Sequence, residues 1–371
     1  MRYFKNVSIG VFGLILLSEP IHSSNVSFLN DVLPENSRKN LEISLSQAKF
    51  DDSLDVLNYI DKLPGSKPKE ATIDEMSISY RFNNGLKFTI ENNSSTAEVT
   101  RNTLPKSLIT DAETDFFSIA YPIHTNSSRI YNLEIFVTET EQDPVMIDCY
   151  QFASIVVGGS CNEADIQLLD AEIYRSSGDL VYLPVLKTQG KSDGYGINLR
   201  IQSKNDKNLK ISHTFSLGEE EILMNFDSAI LNTTDSFLRG TRVNGITVGS
   251  LLDNFKNDLP QETPWKERFF KYSLNSTYGL TENLALSARL SFIKVSRSNY
   301  QANPLKDDYT DNQVLDLGFF YRPVESLLIY SRLSLTTHYL LGITPIAYNR
   351  KSNHLFDHPY GQLYIGTLIS F

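Results

Sequence analysis

Apolar and polar residues alternate with a period of two along most of this chain, and a helical period competes almost nowhere. Taken with the turn formers that bound each run, the alternation predicts about fourteen strands, near 41–47, 75–82, 86–92, 115–123, 129–139, 165–175, 180–188, 194–203, 208–217, 268–280, 284–297, 313–322, 326–342 and 359–371. The C-terminal third shows it most plainly. Over 326–342, Leu327, Ile329, Leu333, Leu335, Tyr339 and Leu341 share one face, opposite Tyr330, Arg332, Ser334, Thr336 and His338. Likewise Leu284, Leu286, Leu290 and Phe292 oppose Ser287, Arg289 and Ser291, while Leu315, Leu317, Phe319 and Tyr321 oppose Asp316, Gly318 and Arg322. Alternation defines two faces and leaves open which of them is inward.

Connection lengths carry the next step. Every second connection is a short turn: Asn83 to Gly85, His124 to Ser128, Ser176 to Asp179, Lys204 to Asn208, Thr281 to Asn283 and Pro323 to Glu325. The intervening ones are mostly long, at 48–74, 93–114, 140–164, 218–267, 298–312 and 343–358, with 189–193 the short exception. A soluble sandwich has no reason to segregate loop lengths in this way. A transmembrane barrel does, with short periplasmic turns, long extracellular loops and an even strand number. The expected fold is therefore all-β: a transmembrane antiparallel up-and-down β-barrel of about 14 strands, within a range of about 12 to 16, occupying residues 41–371. The 218–267 connection opens on Glu219, Glu220 and Glu221, suggests a short helix around Ser250 to Lys256, and is long enough to fold into the lumen.

The beginning of the chain reads as an export signal. Arg2 and Lys5 precede the apolar run Val7 to Leu17, which is too short to span a bilayer as a helix, so residues 1–23 are expected to be cleaved near Ser23 or Ser24. The 24–40 segment is then too short for a separately folded plug domain, passenger or periplasmic repeat. Export also gives the two cysteines a context: Cys149 and Cys161 are expected to form a disulfide closing a small extracellular loop, and no C-x-x-C motif suggests a catalytic thiol.

Composition mainly excludes. The 371 residues carry a formal net charge of −10, which argues against a general nucleic-acid partner. Beyond the first twenty positions there is no apolar run long enough for a membrane helix, which leaves strand-built spans open.

The terminus PYGQLYIGTLISF ends on Phe371 with Ile369, Ile365 and Leu363 at alternate positions before it, and Thr367 interrupts the apolar series. This resembles the C-terminal strand of Gram-negative outer-membrane β-barrel proteins. The resemblance implies location in the outer membrane, contact with the bilayer and lipopolysaccharide, and recognition of Leu363, Ile365, Ile369 and Phe371 by the barrel-assembly machinery. It reaches the class and no subfamily.

Candidate chemistry is sparse. Alternation puts Arg200, Lys210, Lys271, Arg289, Arg297, Arg322 and Arg332 on the polar faces with few acids such as Asp316, giving a basic strip on the lumen wall that would favour anions by its local field. The alternative is that these side chains solvate or cross-link the interior. His354 and His358 in HLFDH lack the glutamate of a zinc-protease helix, and Lys306 to Asp311 lacks the glycine and ligand spacing of a calcium loop, so no metal or other cofactor is expected. His338 lies four positions from Ser334 on one strand face, too far apart for a nucleophile and base pair, and no catalytic residue emerges. The sequence therefore points to a passive or selective pore for small solutes. A lipid-modifying barrel enzyme, or a structural barrel with a blocked lumen, stands as the alternative.

Overall fold

The computed structural model describes residues 28–29, 40–51, 66–101, 108–126, 128–147, 186–203, 208–227, 236–240, 242–243, 246–247, 249–250, 253, 264–299, 310–336 and 360–371. In chain order the strands are β1 (Leu41–Asp51), β2 (Ser66–Arg81), β3 (Lys87–Arg101), β4 (Leu108–Thr125), β5 (Arg129–Ile147), β6 (Leu186–Ser203), β7 (Leu209–Asp227), β8 (Arg242–Val243), β9 (Ile246–Thr247), β10 (Trp265–Gly279), β11 (Leu284–Ser298), β12 (Asp311–Val324), β13 (Leu327–Thr336) and β14 (Tyr360–Ser370). A short helix, α1 (Ser236–Gly240), and the two-residue strands β8 and β9 lie between β7 and β10.

The other twelve strands form one closed antiparallel barrel in which each pairs with its neighbour in the chain, β7 pairs with β10, and β14 returns to β1. At that last seam Phe371 N–H donates to the Leu41 carbonyl at 2.9 Å, and Leu41 N–H donates to the Phe371 carbonyl at 3.4 Å. Closure leaves no sheet edge to be satisfied by water or another chain.

Twelve strands replace the fourteen expected. β5 pairs directly with β6, from Arg129↔Ser203 to Ile147↔Leu186, so no strand is inserted between them. The expected strand 165–175 therefore has no place in the sheet, and only Leu186 to Thr188 of 180–188 enters it, as the start of β6. Residues 148–185 make one connection, outside the described residues, and Cys149 and Cys161 fall within it. The strand near 326–342 is described only to Thr336.

Several strands are longer than their apolar alternation suggests. β7 continues through Glu219, Glu220 and Glu221 to Asp227, which removes those glutamates from the connection they were expected to begin. Of the helix expected near Ser250 to Lys256, residues 249, 250 and 253 are described, and they are helical. Strand pairing persists here because the outward residues, although charged, are matched across strands. Gln47 donates to Asp74 at 2.7 Å, Asn92 to Asp115 at 2.9 Å and Thr96 to Asp111 at 2.5 Å. Lys191 donates to Glu139 and, at 3.2 Å, to Glu141. Exposed pairs of this kind contribute little each. Their consequence is a charged collar at the long-connection end of the barrel.

The short turns and both barrel-closing strand ends share the opposite end. Gly85, in the β2–β3 turn, has φ +87, and a Cβ there would lie 2.8 Å from the Pro122 ring, so glycine is required on both counts. In the β4–β5 turn the Asn126 side-chain oxygen accepts from the N–H groups of Ser128 and Arg129, a local side-chain turn that fixes the hairpin.

Orientation of the faces is the finding the sequence left open. Leu286, Leu290, Phe292, Leu315, Leu317, Phe319 and Ile329 are exposed, whereas Ser287, Arg289, Ser291, Asp316, Arg332 and Ser334 are buried. The same polarity holds on β2 to β5, where Met76, Ile78, Ile90, Ile119, Ile135 and Val137 face out. Polarity is thus reversed relative to a soluble barrel, as a hydrocarbon surround requires. Around the short-turn end the band is bordered by Tyr80, Phe82, Tyr121, Tyr278, Tyr321 and Phe371, all exposed; Tyr80 and Phe82 meet edge-on at 4.9 Å. This is the aromatic girdle of an interfacial zone.

Candidate functional site

The lumen is where this barrel places its chemistry, because strand alternation delivers every second side chain of all twelve strands to it. Its wall has two unlike halves. From β3 to β7 the inward positions are mostly small hydroxyl, amide or glycine residues, such as Thr89, Ser95, Thr114, Ser118, Thr140, Ser212 and Ser216. Thr114 and Thr140 share a hydrogen bond at 3.0 Å, as do Ser79 and Thr89 at 3.0 Å. Two rings intrude there: Phe136 stacks on Phe116 at 5.6 Å and fills the space left by Gly196, whose Cβ would come within 2.4 Å of the Phe136 ring.

From β11 around to β14 the wall is bulky and ionic. Arg289 Nε donates to the Asp316 carboxylate at 2.8 Å, and Arg332 Nε approaches its other oxygen at 3.9 Å. The Arg332 guanidinium lies 3.9 Å from the centre of the Tyr364 ring, while the Tyr364 hydroxyl donates to Gln362 at 2.7 Å. Arg332 and Asp316 have no exposed surface at all. Charges removed from water to this degree persist only when paired and hydrogen-bonded, so register must hold all three groups together. It does: Arg289 is directly opposite Asp316, and Arg332, opposite Gly318, lies on the diagonal from Asp316 in the paired strands.

Two further residues belong to this half and come from outside the barrel strands. Phe28 and Leu29 are helical, almost fully buried, and packed among Phe320, Leu328, Tyr330 and Leu368 near the short-turn end. The Phe28 ring lies 5.6 Å from Phe320, with the Arg289 guanidinium 4.9 Å and the Arg332 guanidinium 5.4 Å from its centre. Sequence reading assigned them only to the short 24–40 segment before β1. Their signal, an apolar pair in an otherwise polar stretch before β1, is too short for periodicity to register.

All seven cations of the expected basic strip fall on inward positions of their strands. The register puts carboxylates there too: Glu42, Glu75, Glu91, Glu134, Glu220 and Glu267 join Asp316 as buried groups. Glu267 accepts from Arg297 at 2.6 Å and from Trp265 at 3.3 Å, and Glu42 accepts from Lys87 at 3.1 Å. Glu134 accepts from Ser118 at 2.8 Å and Asn198 at 3.0 Å beside Arg200, and Ser46 donates to Glu75 at 2.8 Å. Arg289, Arg297 and Arg332 of that strip thus pair with buried carboxylates across neighbouring strands. The sequence reading undercounted these acids because most lie on β1 to β7, where alternation is less regular.

Ser334 is buried on β13, and His338, His354, His358 and residues 306–309 lie outside the described residues. One lipid-facing polar pair also escaped the sequence: on β7 and β10, His213 Nδ1 and the Tyr272 hydroxyl are 2.9 Å apart. On the terminal strand, Leu363, Ile365, Ile369 and Phe371 all face outward, with Thr367 on the same face.

No protein-family model and no curated relative matches this chain. Among solved structures, it is similar to the KdgM porin at 8% identity and a TM-score of 0.38, covering 89% of this chain and 99% of that one. It is similar to the NanC porin at 8% identity and a TM-score of 0.41, covering 89% and 100%. It is also similar to the translocator domain of the autotransporter NalP from Neisseria meningitidis, at 9% identity and a TM-score of 0.49, covering 94% of each chain. The barrel assignment rests on the closed strand register and not on these likenesses.

Proposed function

We propose that this protein is a Gram-negative outer-membrane β-barrel serving as a narrow conduit for small hydrophilic solutes. The observation that carries this reading is the pairing of an apolar outward band with an inward arc of small hydroxyl, amide and glycine residues from β3 to β7. A barrel serving only as a scaffold could fill its interior with apolar side chains. An inward surface made of groups that hydrogen-bond water is suited to polar passage. The NanC and KdgM structures are described as porins, which agrees with this reading.

The conduit is narrow. Many inward side chains are covered, among them Asn93 at 9% exposure and Thr140 and Asp316 at 0%, and a wall bathed by a wide water column would not be. The anion preference expected from the cations alone is not carried forward, because buried carboxylates are interleaved with them. In planar bilayers the purified protein is expected to give discrete openings of low conductance, below those of a 16-stranded porin in the same salt, with a near-zero reversal potential in a salt gradient. Complete absence of channel events, with liposomes that stay impermeable to small sugars, would overturn the reading in favour of a structural barrel.

A further inference from the structure

We propose that the lumen wall carries a binding subsite for the ammonium group of a small amine, built around Glu220; as the class of solute that the pore serves, this rests on the conduit reading above. The subsite lies on one row of directly paired inward residues, Thr138, Gly194, Glu220, Glu267 and Arg297, which crosses β5, β6, β7, β10 and β11. Charge along this row does not balance. Glu267 is neutralised by Arg297, whose Nε donates to it at 2.6 Å. Glu220, directly opposite Glu267 and 5% exposed, has no cationic partner among the described residues. The Ser192 hydroxyl donates to its carboxylate, while Oε1 is buried and has no hydrogen-bond partner among the described residues. Elsewhere on the wall, by contrast, Glu42 holds Lys87 at 3.1 Å and Asp316 holds Arg289 at 2.8 Å.

What Glu220 lacks is one positive charge, since a buried carboxylate persists ionised only when it is compensated. On the side away from Glu267 the row runs through Gly194, which contributes no side chain, to Thr138. Thr140 and Ser192, paired with each other at the next inward positions and both buried, bring further hydroxyls. An ammonium group donates three hydrogen bonds and accepts none, so a free carboxylate oxygen beside hydroxyl oxygens is the matching set of acceptors. A divalent metal fits less well: calcium takes about six to eight oxygen ligands, and no group of three metal-ligating side chains occurs among the described residues. Trp265 and Phe269 flank Glu267 on the inward face of β10 and offer apolar surface to the carbon chain of an amine.

Trp265 donates its indole N–H to Glu267 at 3.3 Å and is the one tryptophan of the chain, so its fluorescence reports on this row without any need for conduction. The test titrates the full-length folded protein in detergent with n-butylammonium, n-butanol, n-butyrate and calcium. Constant ionic strength and mildly alkaline buffer keep Glu220 ionised and the amine protonated. Butylammonium alone is expected to give a saturable change, and Glu220→Gln is expected to weaken its binding by about tenfold or more, the scale of one charge-assisted hydrogen bond. The wild-type comparison of the four probes carries the test if the variant fails to fold. An equal response to butanol or butyrate, or a saturable response to calcium at lower concentration, overturns the ammonium assignment; so does no response at all, or an unchanged affinity in Glu220→Gln. Planar bilayers read the conduit separately. A protein that binds butylammonium and never conducts loses the pore and keeps the site as a binding site only, whereas one that conducts while Trp265 stays silent loses the site and keeps the pore.

Discussion

Asp316→Ala is expected to destabilise the folded barrel by about 3–5 kcal/mol, the usual cost of removing one partner from a buried ion pair. Asp316 is the carboxylate between Arg289 and Arg332, and all three groups are at most 1% exposed. Without it, two guanidinium groups stay close together in a medium that screens them poorly. Replacing all three by apolar residues of similar volume, as in Asp316→Leu with Arg289→Met and Arg332→Met, should recover much of the loss, because then no charge is left buried. Urea unfolding in detergent or liposomes checks both. Trp265, the one tryptophan of the chain and 3% exposed, is a built-in fluorescence probe. A change below about 0.5 kcal/mol for Asp316→Ala, within the range of ordinary surface substitutions, would show that water reaches the cluster.

Deleting Phe371 is expected to remove most of the protein from the outer membrane while costing the purified barrel only about 1–3 kcal/mol, too little to unfold it. The two effects separate because they have different causes. Thermodynamically, the deletion removes an exposed ring and two backbone hydrogen bonds to Leu41 at the rim, a change of about 1–3 kcal/mol at hydrogen-bond scale. In the cell, the resemblance of the terminal strand to the C-terminal strand of outer-membrane barrels leads to the expectation that Phe371 is part of the delivery address. Fractionation with quantitative blotting measures the first effect, and refolding in detergent the second. Wild-type abundance of the deleted chain in the outer membrane would dissociate this strand from assembly.

The fold was largely legible in the sequence where lipid imposes its pattern. Strands β10 to β14 alternate so regularly that Leu315 and Asp316, or Leu290 and Arg289, fall on opposite faces by inspection, and the structure keeps them there. Legibility failed above the apolar band. There β3, β4, β5 and β7 continue beyond their expected ends, and Glu141 and Glu219 look like loop because polar residues on both faces erase the period of two. Of the expected strands near 165–175 and 180–188, only Leu186 to Thr188 enter the barrel, as the start of β6. The site was half legible: alternation placed Arg289, Arg332 and Asp316 in the lumen, but pairing register was needed to bring them together. Phe28 was out of reach, because its partners Gly318 and Phe320 are far away in sequence and nothing local marks a residue that will pack inside a closed sheet.

The central claim, a lipid-facing apolar surface around a polar interior, is tested most directly by a nitroxide scan along β12 in proteoliposomes. Spin labels placed singly at Leu315, Leu317 and Phe319 should collide readily with oxygen and poorly with a water-soluble nickel chelate. Labels at Asn312, Val314 and Phe320 should show low collision rates with both, giving a period of two along the strand. High nickel accessibility at Leu315, Leu317 and Phe319 would place that face in water and contradict the membrane barrel.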